Sequence, residues 1–215
     1  MQLAVFDLDG TITRRDTFLP YVLGFLARHP WRALGLVLTL PTLVKFVLGA
    51  ADRGEVKSAV MRATLRGVTR GEIERWTDRF VETLLTRGVY RKALEQIEAH
   101  RQAGDELVLL SASPDLYVPA IGRKLGFTQT VCTGVRWNGD RLDGHLTTAN
   151  RRGMEKVHVV TALRASKPGK HTVAYGNAVS DLPHLELVDR GLLVNGTPRA
   201  RREAARRGVP TASWR

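Results

Sequence analysis

The sequence predicts an α/β fold: a parallel sheet with helices on both faces and an inserted all-helical cap. Three observations predict it. Short apolar runs at residues 3–6, 106–110, 172–175 and 191–194 alternate with helical periodicities from Val89 onward, the pattern of repeated βα units. Between the first two runs, residues 16–86 read as helix throughout, without a strand pattern. The first run ends in Asp7 and Asp9, at the carboxyl edge where open parallel sheets bind their ligands.

Leu3–Phe6 is the first strand, continued by Asp7-Leu8-Asp9-Gly10-Thr11. Strand side chains two apart point the same way, so both carboxylates face one side, and Gly10 lets the chain turn sharply. Paired acids favour a hard cation and charged substrates such as phosphate esters; the plainer reading is a solvated acidic turn. Helices are expected over Thr17–Arg28, Arg32–Ala50, Glu55–Arg66 and Gly71–Thr86. The last follows the capping-box pattern Thr69-Arg70-Gly71-Glu72, with Val68 and Ile73 as its hydrophobic staple. Ile73, Trp76, Phe80 and Leu84 then form one apolar stripe.

Trp31 to Ala51 is the most apolar stretch. Arg32, Pro41 and Lys45 make it a poor membrane span, and Pro41 is expected to split or kink it. It reads as buried cap helices, with a surface resting on lipid or gripping an apolar substrate as the alternative. Tyr90–Gln102 reads as a helix, Glu106–Leu110 as a buried strand and Pro114–Leu125 as a helix. Val131–Trp137 and Arg141–Leu146 flank the hairpin signal Asn138-Gly139. Gly153–Ala165 is a helix, Thr172–Tyr175 and Gly191–Val194 are strands, and Pro198–Arg207 is a closing helix. The expected division is a core of residues 1–14 and 88–215 with a cap of residues 15–87.

With 43% hydrophobic and 25% charged residues, the chain can bury a real core. Cys132 is the single cysteine, so no intrachain disulfide forms and a reducing cytoplasm is expected. The amino terminus enters a strand with no basic leader segment. The net charge of +12 raises the question of anionic partners. No zinc-finger spacing or RNA-binding aromatic motif accompanies it. Nucleic acid therefore ranks below a solvated surface and below an anionic membrane. The sequence leaves oligomeric state open.

Three further strand ends carry candidate chemistry. In Ser111-Ala112-Ser113-Pro114, Ser113 suits an N-cap and Pro114 a first helical residue. Ser111 and the neighbouring amides would then face an anion at a helix start. A lysine near a helix start is usually a solvated charge, but the dipole disfavours Lys156 there, which favours a specific pairing with phosphate and Asp7. In Gly176-Asn177-Ala178-Val179-Ser180-Asp181, Asn177 and Asp181 could complete an oxygen-rich magnesium site. The alternative is a turn whose Asp181 caps the helix near Leu182.

In this order the pieces resemble the haloacid dehalogenase superfamily, in its phosphoserine-phosphatase-like branch. The resemblance spans nearly the whole chain and implies a Rossmann-like core. It implies a magnesium-dependent hydrolase of phosphate monoesters in which Asp7 is the nucleophile, forming an aspartyl phosphate, and Asp9 the general acid and base. Mg2+ would be held by Asp7, the carbonyl of Asp9, Asn177 and Asp181, and phosphate by Thr11, Ser111, Ala112 and Lys156. Asp16 and Ser113 would face the substrate. Thr11 to Asp16, the apolar cap segment and Pro198-Arg199 are also similar to bacterial phosphatidylglycerophosphatases, which implies a lipid phosphate and a peripheral place at the inner membrane face. A small soluble ester such as phosphoserine, a phosphotransferase reaction and a basic nucleic-acid-binding protein are the alternatives. One position departs from the pattern: Asn177 stands where most relatives carry aspartate, so weaker magnesium binding is expected.

Overall fold

The computed structural model describes residues 1–215. Six strands form one all-parallel sheet: β1 (Leu3–Phe6), β2 (Glu106–Pro114), β3 (Gln129–Thr133), β6 (Thr172–Gly176), β7 (Arg190–Val194) and β8 (Thr211–Ala212), in the order β3-β2-β1-β6-β7-β8. β4 (Val135–Asn138) and β5 (Arg141–Leu146) form a separate antiparallel hairpin. β8 was not expected from the sequence. Phe6 pairs with Leu109 on one side and Tyr175 on the other, so the three central strands finish level. Whatever follows them meets at one edge.

Period-two alternation divides the buried side chains between the two faces. Ala4, Phe6, Leu107, Leu109, Val173 and Tyr175 belong to one cluster, while Leu3, Val5, Val108, Leu110, Ala174 and Leu193 belong to another. The second is covered by α7 (Met154–Ala165), α8 (Leu182–Glu186) and α9 (Pro198–Arg206). The first runs on through α5 (Arg91–Gln102) and α6 (Val118–Lys124) into the helices between β1 and β2.

Those helices are α1 (Phe18–Leu26), α2 (Leu40–Val47), α3 (Arg53–Thr64) and α4 (Arg70–Arg87). At their root the outgoing and returning chain lie side by side, with Arg14 N donating to Gly88 O at 2.7 Å and Tyr90 N to Ile12 O at 2.9 Å. α3 starts with a reciprocal capping box, Glu55 N to Asp52 Oδ1 at 2.8 Å and Asp52 N to Glu55 Oε2 at 2.7 Å. α4 has the Thr69 half of its expected capping box, with Glu72 N donating to Thr69 Oγ1 at 3.4 Å, but the Glu72 carboxylate turns to His29 instead of closing it.

Four expectations are corrected. Arg32–Ala50 is not one helix: a 3-10 segment over Pro30–Thr39 precedes α2, and Pro41 falls in the first turn of α2, where its missing N–H breaks no bond. Nor is this stretch buried: Trp31 is 65% exposed, Leu34 78% and Val47 82%. Residues 131–137 are not one strand, because the chain switches sheets at Gly134 between β3 and β4. The helix expected from Pro114 starts only at Val118, since β2 extends to pair Pro114 with Thr133. The hairpin forms around Gly139, whose φ of +58 suits glycine, and it docks on the cap. Leu142 N donates to Val68 O at 2.9 Å, and Ser58 Oγ to Gly144 O at 3.2 Å.

Candidate active site

The residues that follow β1, β2 and β6 converge with α7. Asp7 leaves β1 with its N–H bound to Tyr175 O at 3.0 Å. Its side chain is gripped twice: Lys156 Nζ donates to Oδ1 at 2.6 Å and Thr11 Oγ1 to Oδ2 at 2.9 Å. Lys156, 2% exposed, also donates to Asp181 Oδ1 at 2.8 Å. A single buried ammonium therefore bridges two buried carboxylates 174 positions apart in sequence, an arrangement stable only while all three remain together.

The electrostatics follow from that shortage of positive charge. Burial pushes the Asp7 carboxyl up to about 7 despite Lys156, and Asp181 and Asp9 add to the rise. Burial also works against ionised Asp181, but Lys156, His184 and the amide of Ala178 hold it down at about 2. Burial opposes the Lys156 ammonium too, yet Asp181 and Asp7 keep it above the usual lysine range.

Asp9 points elsewhere. Its Oδ1 accepts from Thr17 N at 2.7 Å and Thr17 Oγ1 at 2.6 Å, and its Oδ2 from Ser113 Oγ at 2.7 Å. Burial raises its carboxyl, with Asp16 adding to the effect and the three hydrogen bonds opposing it. A carboxyl held this way keeps its proton to higher pH, as a general acid requires.

The sequence-derived roles of the serines change. Ser113 is not an N-cap: it is buried in β2, and its Oγ donates to Asp9 Oδ2. Ser111 is buried, and its Oγ accepts from Ser113 N at 3.0 Å. No helix begins at either residue, so the predicted helix-dipole cradle is absent. Thr11, expected on phosphate, directs its hydroxyl to Asp7. Ala112 lines the pocket. Asp16 lies at the mouth, exposed, with Oδ1 accepting from Phe18 N at 3.0 Å and Leu19 N at 3.3 Å at the start of α1.

The loop after β6 is folded by Asp181. Its Oδ2 accepts from Asn177 N at 3.1 Å and Ala178 N at 2.9 Å. It closes its own turn rather than capping α8. Gly10, at φ +80, makes room for the neighbouring amide: a Cβ there would stand 2.0 Å from Asn177 Nδ2. Asp7, Asn177 and Asp181 line one pocket of about 90 Å³. No three carboxylate, histidine or cysteine side chains gather as a metal site. With asparagine at 177, the donors suited to Mg2+ are two carboxylates, one amide and the main chain of Asp9. These are hard oxygens of the right kind, and one ammonium against two buried carboxylates leaves negative charge that a cation would offset. The set fits the ion with one charge fewer than an aspartate at 177 would provide.

Sequence reasoning missed the pocket's cap side. Lys57 of α3 donates to Ala112 O at 2.7 Å and to Asn150 Oδ1 at 3.4 Å. Arg53, Asn150 and Arg152 complete the rim. Burial lowers the Lys57 ammonium, and Asp9 and Asp16 counter it. The i, i+4 spacing of Arg53 and Lys57 was the available signal, but such pairs usually face water.

Comparison with known proteins agrees with this geometry. The model of the haloacid dehalogenase-like hydrolase family matches residues 4–186. Protein CicA of Caulobacter vibrioides is 32% identical over 189 residues, covering 87% of this chain and 83% of its own. A probable phosphatase of Mycobacterium tuberculosis is 28% identical over 217 residues, 98% of this chain and 75% of its own. A protein of unknown function from Bordetella pertussis Tohama I has the same fold, with a TM-score of 0.81 at 22% identity over 99% of this chain and 98% of its own. A phospho-aspartyl intermediate analogue of phosphoserine phosphatase follows at 0.68 and 14%, over 100% of this chain and 93% of its own. The chain belongs to the haloacid dehalogenase-like hydrolase family.

Proposed function

We propose that this chain is a magnesium-dependent phosphomonoester hydrolase working through an aspartyl phosphate. The observation that carries the reading is the divided use of the two carboxylates: Asp7 is held by Lys156 and Thr11, and Asp9 separately by Thr17 and Ser113. Asp7 attacks phosphorus as the ester P–O bond breaks, and Asp9 gives its proton to the departing alkoxide. Asp9 then takes a proton from water, whose oxygen attacks phosphorus and frees Asp7 and inorganic phosphate. Lys156 and the main chain beside Ser111 and Ala112 offset charge on the transferring group. Asp7, Asn177, Asp181 and the Asp9 carbonyl would hold Mg2+, which would supply the further positive charge that lets carboxylate and phosphate approach. On this reading residues 1–14 and 88–215 are the catalytic core and residues 15–87 the lid.

The finer reading is a lipid phosphate met at an anionic membrane. Trp31, Leu34, Val37, Leu38, Val44 and Val47 are exposed together along the 3-10 segment and α2. No acidic residue occurs from Thr17 to Ala51, whereas Arg28, Arg32 and Lys45 do, so an apolar face with cationic neighbours matches an anionic bilayer. α3 joins this face to the pocket: Gly35 abuts Ala63 O, and Arg53 and Lys57 reach the pocket from the same helix.

A panel of lipid phosphates, phosphoamino acids and sugar phosphates, with Asp7→Asn as control, tests the chemistry. Full magnesium-dependent activity in that variant would overturn the nucleophile assignment. Sedimentation with phosphatidylglycerol vesicles at low and high salt tests the surface. Binding at low salt that weakens in high salt is expected; absence of binding, or concentration-dependent self-association through residues 31–48 instead, overturns it.

A further inference from the structure

We infer that a groove between α1 and α4, apart from the catalytic pocket, binds the phosphate headgroup of an anionic phospholipid. The groove has a volume of about 450 Å³ and shares no residue with the pocket around Asp7. Phe25 and Trp76 contribute its apolar lining, and Arg28, Arg75 and Arg79 line it together. Its only carboxylate, Glu72, faces His29 at 3.3 Å. The three arginines therefore converge without an acidic partner. The Arg28 guanidinium carbon lies 4.7 Å from the Trp76 ring centroid, a cation–π contact that holds this side chain at the groove. Planar guanidinium groups bind phosphate oxygens in pairs, and three of them without a carboxylate partner suit a phosphate, which has more acceptor oxygens than a carboxylate.

A second, independent observation identifies the source of the phosphate. His29 stacks on Phe25 at 4.4 Å and meets Trp31 edge-on at 5.2 Å. Trp31 opens the exposed apolar face of residues 31–48. The groove thus adjoins the start of that face, with a tryptophan where the two meet. An apolar element seated among acyl chains puts neighbouring cations at headgroup level, and tryptophan favours the same boundary. A lipid phosphate can reach the groove from the bilayer on which the face rests; the inference depends on that membrane reading.

The test is vesicle sedimentation with phosphatidylcholine alone and with added phosphatidylglycerol, comparing wild type, Arg75→Gln/Arg79→Gln and Arg201→Gln/Arg202→Gln. Unfolding midpoints check that each variant is folded. The first variant is expected to lose about thirtyfold in affinity for phosphatidylglycerol vesicles, from roughly one factor of five to six per interfacial arginine. The second removes the same charge from α9 and is expected to bind like wild type. Equal losses in both variants would make the effect one of net charge and overturn the groove. Wild-type preference for phosphatidylglycerol retained by Arg75→Gln/Arg79→Gln overturns the groove while the membrane reading stands. Failure of the wild type to bind either vesicle overturns the membrane reading and the groove with it.

Discussion

Lys156→Met is the most revealing perturbation of the site. The ammonium stands 2.6 Å from Asp7 Oδ1 and 2.8 Å from Asp181 Oδ1, with all three side chains under a tenth exposed. Methionine retains most of the stem volume, so the loss is chiefly electrostatic. Two buried carboxylates are left facing each other without a cation. Breaking a buried pair from one side costs about 3–5 kcal/mol, and in a domain of this size each kcal/mol lowers the unfolding midpoint by roughly 2–4 °C. A fall of about 6–20 °C is therefore expected by differential scanning calorimetry without added metal. Asp7→Asn in the same chain removes the repulsion, so the double variant should melt above Lys156→Met and show coupling of at least about 1 kcal/mol in a double-mutant cycle. A Lys156→Met midpoint within about 2 °C of wild type, or strictly additive losses in the cycle, would refute the bridged arrangement.

Other perturbations follow from the same geometry. Asn177→Asp adds a charge to the donor set, so the magnesium concentration for half-maximal activity should fall; an unchanged or higher value in a metal titration refutes the assigned ligand. Ser113→Ala removes one of three hydrogen bonds to Asp9, and kcat should fall by about tenfold or more with KM little changed, read by steady-state kinetics; a change confined to KM would return Ser113 to a substrate-contact role. Burial lowers His184 from the ordinary 6.5 to about 3 and leaves its Nδ1 without a partner. Between those values the unfolded chain binds the extra proton, so stability should decline as pH falls from 6.5 toward 3, by at most about 1.4 kcal/mol per unit. Denaturant titrations across that range should show a shallower decline in His184→Gln; identical slopes would place the proton elsewhere.

The legible parts of the site are those written in local geometry. Asp7 and Asp9 follow an apolar strand and precede a glycine that must adopt φ +80, so strand alternation and turn chemistry suffice to find them. Asp181 and Asn177 likewise follow β6 through a tight loop. What the pattern could not specify was the division of labour among hydroxyls. Thr11 and Ser111 were expected on phosphate and Ser113 facing the substrate, yet the hydroxyls of Thr11 and Ser113 are committed to Asp7 and Asp9. The Ser113 bond belongs to a buried hydroxyl network beside Asp9, in which Thr17 Oγ1 bonds Asp9 and lies 3.1 Å from Tyr117 Oη. Pro114 misled for a related reason. Its local preference for a first helical turn lost to the longer pairing of β2 with β3, a tertiary contact.

The cap resisted reading because apolar composition specifies neither a partner nor a side. The residues from Trp31 to Ala51 were expected in the interior, since burial is the ordinary fate of such a run. Only one edge of the run is in fact anchored: Arg32 Nη1 donates to Thr64 O and Arg66 O, both at 3.1 Å, and Gly35 approaches α3 so closely that a Cβ would lie 2.0 Å from Ala63 O. Those contacts secure the inner edge on α3 and leave the outer leucines and valines facing out. Another side of α3, about a third of a turn away, carries Lys57 to Ala112 O. A helix used on two sides has little room for an amphipathic pattern, because one side must fit a protein surface and the other a charged pocket. This explains why Arg53 and Lys57 carry no sequence signal distinguishing them from solvated cations. It also ties the pocket's cationic rim to the exposed face through one helix, so a substitution such as Gly35→Ala, which displaces α3, should disturb both at once.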